Sequence, residues 1–396
     1  MTRMSLPKIR ILLPPLIAAL LPGLSQAGSA PVPGTILARS EVFVGGAEGP
    51  QGTPCYRIPT LIAAPDGSLL AFAEGRQTPH DPGSGYPITI SVKRSTDLGR
   101  TWGTAHVLAS DARFAYSDPR ALVDHKAGKV LLFYTQWPVK LGFEEVPQGT
   151  GDSSSVLYFR ASSDGGKTWA EPVNVNPALK NPTWYALNGV VGVGIQLSRQ
   201  TPAQGSANGR LIFPACVKDP SGSYLNFSIC SDDSGSTWHR GRAAAPDKGL
   251  TESDIAELTD GRLLLSARDD AKNGPSRLHY LSSDGGQTWS RTALGGIVVP
   301  PVDCGLVYLP ALGGSGPGRV VVSGPLGDPV GSGHARHNLG LWTSADEGQS
   351  FPLVRQLTAG FAAYSQVIAL PDGTLGIIYE EAPATRIVFL SCAAGR

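Results

Sequence analysis

The sequence predicts an all-β protein, a six-bladed β-propeller with four-stranded antiparallel blades, on three observations. Gly (49) and Pro (33) are abundant among the 396 residues, although no collagen-like period or low-complexity tract occurs. Short apolar runs are separated by turn-forming residues, a pattern typical of many strands and many turns. The third observation is a short motif that recurs along the chain.

This motif, S-x-D-x-G-x-T-W, occurs five times, with Ser-Phe in place of Thr-Trp in the last copy. Its copies are STDLGRTW (95–102), SSDGGKTW (162–169), SDDSGSTW (231–238), SSDGGQTW (282–289) and SADEGQSF (344–351). In a tight hairpin the Asp carboxylate can accept backbone N–H groups of its own turn, and Gly supplies a positive φ. The aromatic residue then starts the next strand and buries its ring. We therefore interpret these boxes as structural, not as metal or ligand sites.

The spacing of the boxes gives the length of the repeated unit. Their aspartates stand at positions 97, 164, 233, 284 and 346, so the intervals between them are 67, 69, 51 and 62. A unit of that length fits four short strands with their loops, which is one propeller blade. The segment 28–396 divides into six such units of about 61 residues. The sequence thus predicts six blades in a single domain, the sixth without a clear copy of the box.

Residues 1–27 have the pattern of a secretory signal peptide. Three basic residues and no acidic one precede the apolar stretch ILLPPLIAALLPGL (11–24), and small residues follow it. The stretch is short and interrupted by proline, which disfavours a membrane span. We expect removal of residues 1–27 and export of residues 28–396 as a secreted, periplasmic or lysosomal protein. Since no later apolar run approaches the length of about 18 residues that a membrane helix needs, we expect no membrane span in the mature form.

Charge and cysteine content restrict the function further. Without residues 1–27 the chain holds 30 Lys+Arg and 32 Asp+Glu, with no concentrated basic face, which argues against nucleic acid as a partner. Cys216 and Cys230 flank a strand–turn–strand segment and are either a disulfide across the hairpin or two buried thiols. The segment HARH (334–337) has two histidines but no third ligand nearby, so we predict no metal site.

The segment TPCYRIPTL (53–61) places Arg57 within an otherwise apolar strand. This Arg-Ile-Pro strand, the signal-like start and the five boxes together resemble the sialidase (neuraminidase) family, over essentially the whole chain after residue 27. LLAFAEGR (69–76) is similar to the lysosomal animal branch and ESDIAELTDGRLLLSAR (252–268) to secreted bacterial members, so the branch stays open. The resemblance implies an exo-α-sialidase that needs no metal or cofactor. Its partners would be sialylated glycans, glycoproteins or glycolipids.

The resemblance implies three arginines that bind the carboxylate of sialic acid. A planar guanidinium matches a carboxylate better than an ammonium group does. Arg57 is the first of the three and Arg336 the third. The second is Arg268, which ends the segment GRLLLSAR, with Arg277 and Arg262 as nearby alternatives.

Most glycosidases use two carboxylates, whereas sialidases use a tyrosine as the nucleophile. The resemblance therefore implies a tyrosine nucleophile in this chain. The anomeric carbon of sialic acid already bears a carboxylate, which would repel a second one. Tyr364 matches this nucleophile and Glu252 its base, with Asp254 and Glu257 as alternatives for the base. Asp81, on a Gly/Pro-rich loop, matches the acid/base residue that protonates the leaving oxygen and later activates water.

Further polar residues are expected around the bound sugar. Glu380 resembles the family's glutamate that braces the first arginine, with Glu381 as the adjacent alternative, since strand alternation sends only one of the two inward. Glu74 and Arg76 are expected as secondary binding groups. Asp118 and the Gly-rich segment 189–197 are expected to line the pocket for the N-acetyl and glycerol groups.

Two other functions remain open at this stage. One is a sialic-acid lectin that binds without cleavage, which the arginines alone would serve. The other is a trans-sialidase or intramolecular trans-sialidase, for which Trp137 or Trp184 would flank the site as acceptor-binding aromatics. The presence of Tyr364, Glu252 and Asp81 together favours hydrolysis. We expect the protein to be a monomer.

Overall fold

The computed structural model describes residues 32–46, 52–79, 85–242, 244–273, 277–292, 297–311, 316–327, 335–383 and 385–395. The predicted signal peptide, residues 1–27, lies outside these ranges. None of the helices in the described ranges has the length and apolar character that a membrane crossing needs.

The described strands form six sheets, which are the six blades of the predicted propeller. Blade 1 contains β2 (Cys55–Ala63), β3 (Leu69–Arg76), β4 (Thr89–Ser95) and β5 (His106–Ala109). Blade 2 contains β6 (Phe114–Asp124), β7 (Lys129–Pro138), β8 (Val156–Ser162) and β9 (Val173–Asn174), and β11 (Gly192–Val193) adds to β6 in parallel. Blade 3 contains β10 (Ala186–Asn188), β13 (Leu211–Lys218), β14 (Tyr224–Ser231) and β15 (His239–Arg240), and β12 (Ile195–Gln196) also pairs with β13.

The other three blades have four strands each. Blade 4 contains β16 (Leu250–Glu257), β17 (Leu263–Asp269), β18 (Arg277–Ser282) and β19 (Ser290–Arg291). Blade 5 contains β20 (Leu306–Leu309), β21 (Arg319–Pro325), β22 (Leu339–Ser344) and β23 (Leu353–Gln356). Blade 6 contains β24 (Ser365–Ala369), β25 (Leu375–Ala382), β26 (Arg386–Cys392) and β1 (Ile36–Val44). The one α-helix of the described ranges is α1 (Asn176–Leu179), and short 3-10 turns span Phe143–Glu145 and Pro202–Gln204.

The six-bladed propeller is confirmed, and the blades are mostly four-stranded as predicted. The two blades with a fifth strand owe it to the segment 192–196, which crosses from β6 of blade 2 to β13 of blade 3. Sequence reasoning missed these two-residue strands, because pairs this short leave no periodicity to detect.

The boxes connect the third and fourth strands of blades 1 to 5. Blade 6 has no box because β1, from the other end of the chain, is its fourth strand and pairs with β26. No turn leads from β26 to that strand, so the blade has no place for the motif. The missing sixth copy is therefore a consequence of ring closure.

Hydrogen bonds within the box explain its fixed residues. In the fourth copy Ser282 Oγ accepts the Gly286 N–H at 2.9 Å and donates to Asp284 Oδ1 at 2.8 Å. The Asp284 carboxylate then accepts the Thr288 N–H at 2.9 Å and its hydroxyl at 2.6 Å. In the last copy Ser350 makes the same two bonds to its aspartate, so a serine replaces threonine without loss.

The aromatic residue of each box packs against the preceding blade. The Trp102 ring of blade 1 meets Phe389 of blade 6 at 5.8 Å between centroids, and the Trp169 ring of blade 2 meets Phe72 of blade 1 at 5.9 Å. The other three boxes repeat this arrangement through Trp238 on Phe133, Trp289 on Ser228, and Phe351 on His279. The boxes are thus contacts between blades as well as turns within them.

The two hairpin cysteines are buried free thiols in the structure. On the ladder of β13 and β14, Cys216 pairs with Asn226 and Cys230 with Ile212, so the two cysteines lie at opposite ends of the pairing. The disulfide alternative is therefore wrong, because the register keeps the two sulfurs apart.

We predict that Ser282→Ala lowers the free energy of unfolding by about 1–3 kcal/mol, because it leaves the buried Gly286 N–H without its acceptor. The shift of the urea midpoint, followed by tryptophan fluorescence, measures this loss. Ser290→Ala is the matched control, since Ser290 is exposed on β19 and its change should stay within about 0.5 kcal/mol. Equal midpoints for the two variants would contradict a structural role of the box serine.

Candidate active site

A cleft of about 550 Å³ lies where the innermost strands of the blades begin. Strands β2, β6 and β16 contribute Ile58, Asp118 and Glu252 to its wall, and Tyr364 enters it directly before β24. Because these strands belong to blades 1, 2, 4 and 6, the cleft is built around the propeller axis.

Local backbone irregularities turn side chains into this cleft. Ile58, Asp118 and Val190 have positive φ angles of 56°, 55° and 46°, and the ladders of β2 and β6 shift register at the first two. A positive φ is rare for β-branched residues and costs about 1–3 kcal/mol at Ile58 and at Val190, whereas Asp adopts it more readily. Strain of this kind persists only where the surrounding fold enforces it. The strands therefore depart from regular geometry at the cleft.

Tyr364 and Glu252 form the centre of the cleft. The Tyr364 hydroxyl donates a short hydrogen bond to Glu252 Oε1. Burial, together with the charge of Glu252, raises the pKa of Tyr364 well above its ordinary value, although three arginines act in the opposite direction. The phenol is therefore neutral, and its proton already points at the carboxylate that would accept it.

The three predicted arginines surround this tyrosine. The guanidinium carbons of Arg57 and Arg336 each lie 5.3 Å from the centre of the Tyr364 ring. Arg268 Nη1 lies 3.3 Å from the Tyr364 hydroxyl and 2.8 Å from Glu252 Oε2. Side chains from distant parts of the sequence thus converge at one point.

Arg268 is held between two carboxylates. Besides the bond to Glu252, its Nε donates to Asp270 Oδ1 at 2.8 Å. Burial works to lower the pKa of Arg268, but the charges of Glu252, Tyr364 and Asp270 outweigh it and raise that pKa. The cation at this position is therefore permanent.

Arg277 and Arg262, the two alternatives for the second arginine, both lie away from Tyr364. Arg277 pairs with Arg268 across β17 and β18 but is fully buried, with its guanidinium on Ser266 and on the Val302 carbonyl. Arg262 forms an ion pair with Asp260 at 2.6 Å and is partly exposed at the other end of β17.

The first arginine is braced by Glu380. Its Oε1 accepts Arg57 Nε at 3.2 Å and the Ile58 N–H at 2.9 Å. The adjacent Glu381 faces the outside of blade 6, where Arg39 binds it at 2.7 Å. Strand alternation therefore sends Glu380, and not Glu381, toward the axis.

Of the three acidic residues on β16, Glu252 is the one that contacts Tyr364. Asp254 lies beneath the cleft and accepts Gln366 Nε2 at 2.9 Å. Glu257 lies at the far end of the strand, where its carboxylate accepts the Ser198 and Arg199 N–H groups at 2.8 and 2.9 Å.

Glu74, Arg76 and Asp118 form one connected group. Glu74 is fully buried behind the cleft wall and binds Arg76 Nη2 at 2.6 Å, Ser117 Oγ at 2.6 Å and the Asp118 N–H at 2.8 Å. Arg76 and Asp118 themselves line the cleft. Glu74 therefore orients cleft residues without reaching the cleft.

The Asp118 carboxyl has an unusual environment for an acid. Burial in the cleft and the nearby charge of Glu74 raise the pKa of Asp118 from its ordinary value of 3.8 to about 7, although Asn188 donates a hydrogen bond to it. A carboxyl group of this kind carries a proton at mildly acidic pH.

Sequence reasoning missed one wall of the cleft. Tyr224 donates to Glu144 Oε1 at 2.6 Å, and Lys218 Nζ binds Glu144 Oε2 at 2.6 Å. Glu144 belongs to the connection between β7 and β8, which has no motif. Cys216 lines the same wall, and so does Trp137, whereas Trp184 is not among the lining residues. Asp81 lies outside the described residues.

Comparison with known proteins identifies the family. The family model for the BNR repeat-like domain matches residues 67–377. The chain belongs to the sialidase family. It is similar to the sialidases of Micromonospora viridifaciens and Bacteroides fragilis (strain YCH46), with 34% identity over 394 residues and 26% over 355 residues.

These alignments cover 95% and 85% of this chain but 58% and 62% of the two relatives. The chain thus spans about three fifths of their length. Among solved structures, the Hadza microbial sialidase Hz136 is similar with a TM-score of 0.75 and 26% identity, over 86% of this chain and 66% of that one.

We predict that Asp118→Asn changes the pH dependence of stability. Because the folded-state pKa of Asp118 is raised from 3.8 to about 7, its contribution to stability is fully present below the unfolded-state pKa and lost as pH rises through the folded-state pKa. Urea unfolding at pH 4 and pH 7 should show wild type losing more stability between the two than the variant. An equal loss of unfolding free energy in wild type and variant would show that Asp118 does not take up the proton.

Proposed function

We propose that the chain is a retaining exo-α-sialidase, which hydrolyses terminal sialic acids from glycoconjugates through a tyrosyl-enzyme intermediate. The observation that carries the proposal is the Tyr364 hydroxyl, hydrogen-bonded to Glu252 beneath the guanidinium groups of Arg57, Arg268 and Arg336. Membership of the sialidase family supports the same reaction.

The arginines would bind the substrate carboxylate. Arg57 is braced by Glu380 and Arg268 by Glu252 and Asp270, so two of the three guanidinium groups are oriented before a ligand arrives. Arg336 donates to the Pro301 carbonyl at 3.0 Å. The bound carboxylates of Glu380, Glu252 and Asp270 hold these guanidinium groups in fixed orientations near the cleft. The substrate carboxylate would therefore meet N–H donors that need little reorganisation.

The choice of a phenol as nucleophile follows from this charge arrangement. A carboxylate nucleophile would meet the substrate's own carboxylate at the anomeric carbon, whereas a neutral phenol is not repelled. As Tyr364 Oη forms its bond to the anomeric carbon, its proton passes to Glu252. The bond from that carbon to the leaving oxygen breaks, and the leaving oxygen takes a proton from the acid that the family resemblance assigns to Asp81.

The second half of the reaction reverses these roles. A water molecule gives a proton to the Asp81 carboxylate and attacks the anomeric carbon, and the bond to Tyr364 Oη breaks. The phenolate recovers its proton from Glu252. Two inversions at one carbon give net retention, so the first product is the α-anomer of free sialic acid.

We predict that Tyr364→Phe lowers kcat on an aryl sialoside by at least about 10³-fold, because it removes the attacking oxygen. The phenyl ring keeps the packing under Arg57 and Arg336, so the fold should be unchanged by circular dichroism. Tyr379→Phe is the matched control: Tyr379 is also buried, but its hydroxyl binds Glu381 on the outer side of blade 6. Similar activity in the two variants would remove Tyr364 from the mechanism.

We also predict that proton NMR of a sialyllactose digest shows the α-anomer of free sialic acid first and the β-anomer only later, by mutarotation. An initial β-anomer would contradict retention. A 2,7-anhydro product or a sialylated acceptor would instead identify a transfer enzyme. Binding without any product would identify a lectin.

A further inference from the structure

A second side-chain pair joins the two strand segments that carry Tyr364 and Glu252. Gln366, two residues after Tyr364, donates its Nε2 to Asp254 Oδ2 at 2.9 Å, and Asp254 is two residues after Glu252. The two segments, from blades 4 and 6, are therefore connected twice: by the Tyr364–Glu252 bond in the cleft and by the Gln366–Asp254 bond directly below it.

The lower pair is fully enclosed and held from both sides. Gln366 and Asp254 are 0% and 1% exposed, and neither lines the cleft. Arg120 binds Asp254 Oδ1 at 3.3 Å and the Ser253 carbonyl at 2.6 Å. On the other side Gln366 Nε2 also donates to Asp303 Oδ2 at 2.8 Å.

We propose that Gln366 and Asp254 are a positioning pair, which sets the separation of the nucleophile and its base. This inference rests on the proposed function. Tyr364 and Glu252 come from blades that are not neighbours in the ring, so no shared ladder fixes their distance. The lower bond fixes it, because it ties the same two segments at a point two residues away, inside a packed interior.

The pair should act on turnover and not on substrate binding. Arg57 and Arg336, two of the three arginines that would bind the carboxylate, lie on other segments, β2 and the chain before β22, and the third, Arg268, is also held by Asp270. A displacement of about 1 Å between reacting groups can cost about 10²-fold in rate. Loss of the pair should therefore lower kcat and leave KM nearly unchanged. If the pair had a purely structural role, its loss would lower only the melting temperature.

The first test removes the pair by Gln366→Met, which keeps the length of the side chain and deletes its donor. The full chain is assayed on an aryl sialoside, and the rate of covalent labelling by 2,3-difluorosialic acid is followed by intact mass. We expect kcat and the labelling rate to fall about 10- to 100-fold, with KM changed less than about threefold.

Gln200→Met is the matched control. Gln200 is another buried glutamine that donates to a carboxylate of β16, Glu257 Oε1 at 2.7 Å, but at the end of the strand away from the cleft. We expect a lower melting temperature with kcat and labelling rate unchanged. An equal fall of kcat in both variants would overturn the positioning role.

The second test reverses the pair. Gln366→Glu alone places a carboxylate against Asp254 and Asp303 and should slow labelling. Combining it with Asp254→Asn lets the new amide at position 254 donate to the new carboxylate at position 366. The amide oxygen still accepts from Arg120, and the net charge equals that of wild type. Because the new carboxylate still faces Asp303, we expect the double variant to recover only part of the wild-type labelling rate but to label clearly faster than Gln366→Glu alone.

The outcomes separate this inference from the proposed function. If wild type neither cleaves the sialoside nor becomes labelled, the proposed function fails. If wild type does both while Gln366→Met keeps wild-type kcat and labelling rate, or the double variant stays as slow as Gln366→Glu, the positioning pair is overturned.

Discussion

Strand β1 pairs with β26 and so completes a blade whose other three strands come from the opposite end of the chain. This ladder closes the ring, and the positions of all six innermost strands around the axis depend on it. The bond between Arg57 of blade 1 and Glu380 of blade 6 crosses the same junction. Ring closure therefore also fixes the position of Arg57 relative to Tyr364.

The cleft combines opposite charges in a defined order. Guanidinium groups from blade 1, blade 4 and the segment before β22 meet around Tyr364. Asp118 and Glu144 lie on the wall contributed by blade 2 and its β7–β8 connection. Each arginine has a bound oxygen acceptor, which limits repulsion among the three cations. Such an arrangement places positive charge at one end of the cleft and hydrogen-bonding side chains along the rest of it.

The repeat made most of the fold predictable, because each box marks a turn that needs Ser, Asp and Gly for identifiable bonds. The arginines, Tyr364 and Glu252 were found from local motifs and family spacing, and the structure brings them together. Glu144 and Tyr224 were not found, because their meeting depends on how a loop folds back over blade 3. Gln366 was equally hidden, since its role comes from a partner 112 residues away. The choice between a disulfide and two thiols at Cys216 and Cys230 stayed open, because sequence does not specify the pairing register that separates them.

Each box aromatic contacts the preceding blade, and this direction sets the order in which the blades can pack during synthesis. A box tryptophan of blade 2 or 3 docks on phenylalanines of the blade made just before it, so every new blade finds its neighbour already synthesised. Blade 1 is the exception, since Trp102 docks on Phe389, which emerges near the end. The blades can therefore pack in the order of synthesis. The side of blade 1 that faces blade 6 stays uncovered until β24 to β26 have been synthesised.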